Sequence, residues 1–511
     1  MIVEDRASTA VGSEPLTVPD VARVAAGERV ELRPDAVARI AAARDVVDRL
    51  VSGDALIYGL NTGLGHMRNE RVPIEILQAY QFGIVLGHAG GIGPNLPTPI
   101  VRAAMFVRLA GLATGGAGAS LPAARQLEAM LNARVHPIVP EVGSIGASDL
   151  MHLAAIASVM IGRGRAELEG EVLAGGEALR RAGLEPIPLQ PKDGLALVSA
   201  NGVSIGHAAL VAVDAASTAG IADVVLAVSL EAVGGNTSIV DPVVLRAKPV
   251  PGQIEAGGRI MALLAGSDRC LAGGAASVQD PLSFRVGPQV HGGLREFVEL
   301  LRHHTELEIN ASDDNPFVDV SGGRIVSNGN FHPFMLALSA DALRPALAHV
   351  GQLSDRRMNH LFAQLVADPN VLSGPAALEG TELAGLLMRY SAAAQTAQLR
   401  GLAGPATLDV APLDLGVEDH ATNATLAVAE SARAVRLLDE ILAIELLMAR
   451  AAIARATGPT GLGAGTAAAV EALDAVTGAL AQGISTSELH EAVRAALPRI
   501  AAAAEAAAGL A

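Results

Sequence analysis

Residues 195–213 read LALVSANGVSIGHAALVAV, a stretch without a single charge. A run of that length is long enough to cross a bilayer, so how it is read separates a membrane protein from a helical bundle. It carries Ser199, Asn201, Ser204 and His207 and is punctuated by glycine. A helix buried among other helices is the better reading.

Composition points the same way. The chain has 511 residues and is half apolar, yet it contains no Trp, three Tyr and eight Phe. Its core must therefore be built from Ala, Leu, Val and Ile on closely packed helices, which favours an all-α fold over a sheet. No Pro-rich, Ser-rich or charged run reads as a linker. The expected division is a helical part over residues 1–200 and a bundle of long helices with C-terminal helices over 201–511. The net charge of −16 comes without a Lys/Arg cluster. That argues against nucleic acid and against anionic lipid, leaving small molecules and further copies of the chain as partners. Cys270 is the sole cysteine, so no intrachain disulfide and no thiolate metal site is expected. The opening MIVEDRASTAVGSEP has acidic residues and no apolar segment, which reads as a cytoplasmic protein without a secretory signal.

Apolar periodicity predicts a short extended start and then a helix within residues 17–50. Further helices are expected over 78–86, 99–112, 121–133 and 150–162. The later ones fall over 208–233, 257–264, 289–310, 333–362, 380–402 and 423–456, a bundle pattern. The tail from Thr466 to Ala511 is Ala-rich and helical by propensity, with Pro498 as a local break.

Four residues stand in unusual contexts for chemistry: Tyr58, Ser148, Arg285 and Glu418. Tyr58 opens the loop Tyr58-Gly59-Leu60-Asn61-Thr62-Gly63-Leu64-Gly65, which is apolar and glycine-rich where solvated loops are polar. Ser148 ends a crowd of small residues, Gly143 to Asp149, ahead of an apolar helix. A plain cap by Ser148 or Asp149 would explain that turn without any chemistry. Asx turns and caps would equally explain Gln279 to Arg285 and Asp313-Asp314-Asn315-Pro316.

The order of these blocks suggests more. The Tyr58 loop; Gly87-His88-Ala89-Gly90-Gly91-Ile92-Gly93; Gly143 to Leu150; Asp193-Gly194-Leu195-Ala196-Leu197; Gln279 to Gly292; Asp313 to His332; and Glu418-Asp419-His420 follow one another down the chain. In that order they resemble the aromatic amino acid lyases, the histidine/phenylalanine ammonia-lyase family, and most closely the pattern of bacterial histidine ammonia-lyases. The resemblance implies a long antiparallel helical bundle of the fumarase/aspartase-like type and a homotetramer with sites built from several subunits. It also implies a prosthetic group, 4-methylidene-imidazol-5-one (MIO), formed by the chain itself from Ala147, Ser148 and Asp149, with no external cofactor and no metal.

By the same resemblance Tyr58 is the base that removes a β-proton and Arg285 pairs with the substrate carboxylate, where a planar fork can bind in bidentate fashion. Gln279, Phe331 and Asn201 are pocket residues. Asn201 takes its place only across two inserted residues, and without that gap Ser199 stands there; Gly202 after it favours Asn201. His88 and Glu418 set the side-chain pocket, since a carboxylate there favours an imidazole over a bare phenyl ring.

Departures cluster at this same site. The family's Ala-Ser-Gly-Asp-Leu is shortened here to Ala147-Ser148-Asp149-Leu150, so the glycine whose freedom helps the turn cyclise is missing. Leu282 stands where the family has a tyrosine, and Gly87 enlarges the pocket beside His88. The leading reading is a carbon–nitrogen lyase that releases ammonia from histidine or a related amino acid. An MIO-dependent 2,3-aminomutase is one alternative. Another is an MIO-free member that binds, scaffolds, or works through Tyr58 alone.

Overall fold

The computed structural model describes residues 8–270, 275, 277–367, 381–408, 410–456, 460–480 and 484–510. The first seven residues of the N-terminal reading, Gly380 at an expected helix start, and residues 481–483 and 511 of the tail lie outside the described residues. The fold is all-α, with 63% helix and 7% strand. The residues cluster into two compact units. Four long helices, Gly202–Val233, Gly287–Ile309, Phe334–Ala367 and Ala424–Arg455, contribute residues to both.

The first unit comprises residues up to Val213, Leu301–Ala340 and Pro405–Ala429. At its centre runs Thr98–Ala113, in which every residue from Val101 to Ala113 is buried. Helices Val18–Ala25, Pro34–Leu50 and Leu121–Asn132 pack around it. Leu60 of the tyrosine loop packs into a cluster with Ala43, Val46, Val47 and Val318, which explains why that loop is apolar. A second trio, Leu77–His88, Leu150–Met160 and Asp193–Val198, packs mutually and frames the cavity described below. The strands are short. Ser8–Val11 pairs in parallel with Arg29–Leu32, whereas Ile92–Asn95 with Pro140–Val142 and Phe317–Asp319 with Arg324–Val326 are antiparallel pairs.

The second unit holds Asp214–Leu300, Asp341–Gly404 and the chain from Glu430 onward. Helix Thr486–Ala507 packs on Ala464–Gly478 and on Thr381–Gly401. Inside it Arg357 meets Glu445 at 2.6 Å, both side chains fully buried. Glu445 also accepts from Ser229, while Arg357 donates to the Ser283 carbonyl at 3.1 Å. These bonds and the buried Phe284 anchor the short helix Leu282–Arg285.

Several sequence expectations need correction. Residues 17–50 do not begin extended: Val18–Ala25 is a helix, started by a Thr17/Asp20 capping box and Pro19, with Val18, Val21 and Val24 buried at helical spacing. The uncharged run 195–213 is not one helix, because the chain leaves Asp193–Val198 at Ser199 and starts again at Gly202. The Asp313 carboxylate takes the Asn201 backbone N–H at 2.6 Å and holds that break open. The apolar window within Asp193–Val233 is 78% buried inside the protein, as expected of a bundle helix. Helix Pro251–Leu263 begins six residues ahead of the expected Gly257, with a proline in its first turn. Pro498 does not break Thr486–Ala507, since buried Val493, Ala496, Leu497, Ile500 and Ala501 on either side hold the helix through it.

Candidate active site

The tyrosine loop is held by its own polar residues. Buried Asn61 accepts from the Ile57 backbone at 2.8 Å and donates to Ala55, and Thr62 donates to the Gly63 carbonyl. The loop closes at Gly65, whose φ of +55° and close approach to Asp414 leave no room for a side chain. Asp414 in turn accepts from the His66 backbone at 2.8 Å and meets its ring at 2.6 Å. Those bonds from His66 hold the Asp414 carboxyl below the usual carboxylate range.

A second loop, Gly143 to Asp149, is clamped by the start of helix Ala424–Arg455. Thr422 donates to the Gly146 carbonyl at 2.8 Å, the Asn423 amide to Ile145, and Thr425 to Ser144. Gly146 has φ +78° and faces Thr422 and Ala424 so closely that only glycine fits. Ser148 also has a positive φ, +62°, which strains a residue bearing a side chain. Its amide donates to the Phe331 carbonyl at 3.1 Å.

These loops meet at a cavity of about 470 Å³ lined by Tyr58, Tyr80, His88, Ala147, Ser148 and Glu418, among others. Phe331, Asn315 and Ser199 complete that side, and Gly83 and Gly87 open the wall made by Leu77–His88. A methyl group at either glycine would meet nothing within 4 Å, so each widens the space. The cavity lining includes Asp414 and Glu418 and, among the described residues, neither Lys nor Arg. Burial raises the Tyr58 phenol above its ordinary pKa; the Gly65 N–H eases this, and Glu418 and Asp414 add to it. Burial likewise raises the Glu418 carboxyl, helped by Asp414 and opposed by His88. The His88 ring is fixed by Nδ1 at 2.7 Å from the Ile84 carbonyl.

The other expected site residues are elsewhere. Asn201 is fully buried with its backbone on Asp313 and does not line the cavity; Ser199 does. Gln279 is exposed in the second unit, Arg285 is half-buried at the end of Leu282–Arg285, and neither is part of the lining. Leu282 is 58% exposed.

The chain matches the sequence profile of the aromatic amino acid lyases over residues 16–475. It is 39% identical over 456 residues to a histidine ammonia-lyase of Anaeromyxobacter sp. (strain K), covering 86% of this chain and 89% of that protein. It belongs to the aromatic amino acid lyase family. The lyase superposes on the tyrosine aminomutase of Streptomyces globisporus with a TM-score of 0.88 at 28% identity, covering 98% of both chains. With the ergothioneine-degrading ergothionase of Treponema denticola the TM-score is 0.86 at 27% identity, over 97% of this chain and 99% of that one. It is thus a carbon–nitrogen lyase.

MIO would require the Asp149 nitrogen of this lyase to bond to the Ala147 carbonyl carbon. That nitrogen instead donates to the Ala200 carbonyl at 2.7 Å. The Asp149 side chain is fully buried and accepts from Ser144 at 2.8 Å and from the Ser204 backbone and hydroxyl at 2.7 and 2.9 Å. So placed, Ala147, Ser148 and Asp149 do not fit the group.

Reading the sequence missed Tyr80, Gly83, Ser144, Ser204 and the His66–Asp414 pair. The spacing of Tyr80, Gly83 and Gly87 on one helical face was the available signal for the cavity wall. Nothing local in the sequence marks Ser144 and Ser204 as partners of Asp149.

Proposed function

We propose that this lyase eliminates the α-amine of histidine or a closely related amino acid, giving an α,β-unsaturated acid and ammonia. The observation that carries this reading is one cavity holding a half-buried phenol, Tyr58, with a side-chain pocket formed by Glu418 and His88. Tyr58 takes the β-proton. Glu418 accepts a hydrogen bond from the ring nitrogen of the substrate and favours the protonated imidazolium, whose positive charge draws electron density from the β-carbon and acidifies its hydrogen. Phe331 packs against the ring, and Ala147 and Ser148 form the wall toward the departing amine.

Among the described residues the lining has no Arg or Lys for a substrate carboxylate, so Arg285 and Gln279 would reach the cavity from another subunit of a cytoplasmic homotetramer. Val278 and Leu282, next to them, are 94% and 58% exposed, which suits a surface covered by another copy. Likeness to the tyrosine aminomutase supports a second reading, in which the amine returns to the β-carbon.

The test is release of the amine (ammonia from histidine, tyrosine and phenylalanine, trimethylamine from ergothioneine) and product mass, with ergothioneine included because the Treponema denticola relative degrades it. Ammonia and an unsaturated acid from histidine support elimination; a β-amino acid supports the second reading. No turnover of any of the four would overturn both.

A further inference from the structure

We infer that Asp149 is an anchor joining two helices, and that this lyase works with Ala147, Ser148 and Asp149 uncyclised. The residue count is the first ground. The family's Ala-Ser-Gly-Asp-Leu is one residue longer than Ala147-Ser148-Asp149-Leu150. Asp149 and Leu150 open helix Leu150–Met160, where Asp149 is the residue preceding the first turn. They therefore stand for the Asp-Leu that follows the family triad, and the residue lost is the triad's third.

The bonds of Asp149 are the second ground. Its carboxylate accepts from the backbone and hydroxyl of Ser204, in the first turn of Gly202–Val233. Backbone N–H groups at that turn have no partner within the helix, and a carboxylate satisfies both the hydrogen bond and the helix dipole. The Ser144 hydroxyl fills the remaining side and also donates to the Ser148 carbonyl at 3.2 Å.

The peptide planes are the third ground. The Ser148 amide is held by Phe331 and the Asp149 amide by Ala200. Ring closure would bond the Asp149 nitrogen to the Ala147 carbon, expel two waters and transfer the amide proton. The group facing that proton is a peptide carbonyl, which is no base. Turning the nitrogen would also pull a fully buried carboxylate off its three donors.

The consequence for chemistry deepens the proposed function and rests on it. As Tyr58 takes the β-hydrogen, the C–H electron pair forms the Cα–Cβ double bond, and the Cα–N bond breaks. The nitrogen leaves the ammonium form as ammonia with the bonding pair. Such a direct departure selects amino acids whose ring acidifies the β-hydrogen, as an imidazolium paired with the Glu418 carboxylate does.

The experiment is a peptide map of the purified full-length protein across Ala147 to Leu150, with ammonia release from histidine measured on the same sample. Unmodified residues with ammonia released bear out both the inference and the function. A two-water deficit at this peptide would overturn the inference and leave the function standing. An unmodified peptide without turnover of any amino acid would keep Asp149 as an anchor and remove the proposed reaction. Asp149→Ala should lower the thermal midpoint of unfolding; an unchanged midpoint would overturn the anchoring role.

Discussion

Arg108 and Asp314 join at 2.7 Å in the interior of the first unit, each with its side chain no more than 2% exposed. Arg108 also reaches Asp313 at 3.4 Å and donates to the Ala196 carbonyl at 2.6 Å. This group lies behind the cavity, fixing the Ser199–Asn201 break on one side and the Asn315 loop on the other. Arg108→Leu strands two buried carboxylates and should cost about 3–5 kcal/mol of stability. Chemical denaturation at neutral pH measures it, and a loss below about 1 kcal/mol would show that the ion pairs with Arg108 add little to stability.

Asp313 gives that cluster a pH dependence. Burial pushes its carboxyl from 3.8 up to about 6, with Arg108 opposing and Asp314 adding. A carboxyl raised in the folded state binds its proton more tightly there than in the unfolded chain. Its contribution is present below pH 3.8 and is lost as pH rises through about 6. Asp313→Asn should flatten the fall in stability across that window, and thermal melts at a series of pH values would show it.

Tyr58 is a phenol whose burial raises its pKa, so at neutral pH it rests protonated. If it is the base, kcat/KM climbs with pH on the alkaline side, toward that raised value. Tyr58→Phe should lower kcat by about 10²–10⁴-fold. A pH profile without an alkaline rise, or a Phe variant at full rate, would assign the proton transfer elsewhere.

Replacing Glu418 with Gln tests two things in one protein. It removes a negative charge that disfavours the phenolate, so the alkaline limb should move to lower pH. It also weakens the acceptor for a ring N–H, so discrimination for histidine over phenylalanine should fall by roughly 10-fold or more. Steady-state kinetics on both amino acids reads each effect.

Gly83 and Gly87 widen the cavity where an added methyl group would touch nothing. Gly83→Ala should therefore stabilise helix Leu77–His88 by about 0.5–1 kcal/mol. Gly87→Phe should fill the space beside His88 and raise KM for an aromatic amino acid with little change in stability. Equal KM values would place the ring elsewhere in the cavity.

The helical class, most helix positions, the family and the residues Tyr58, His88, Ser148, Phe331 and Glu418, which line one cavity, were legible along the chain. Those features follow from apolar spacing and from motifs that lie within a few consecutive residues. That Ser199 lines the cavity while Asn201 is buried against Asp313, and that Asp149 is held by Ser144, Ala200 and Ser204, emerged once the chain was folded. The physical reason is that a buried polar group must find its partners, and those of Asn201 and Asp149 come from segments up to 112 residues away along the chain. The unbroken run through Pro498 was set the same way, by an apolar face packing against other helices rather than by its own propensity, whereas the helix at Val18–Ala25 has local start signals in Thr17, Pro19 and Asp20.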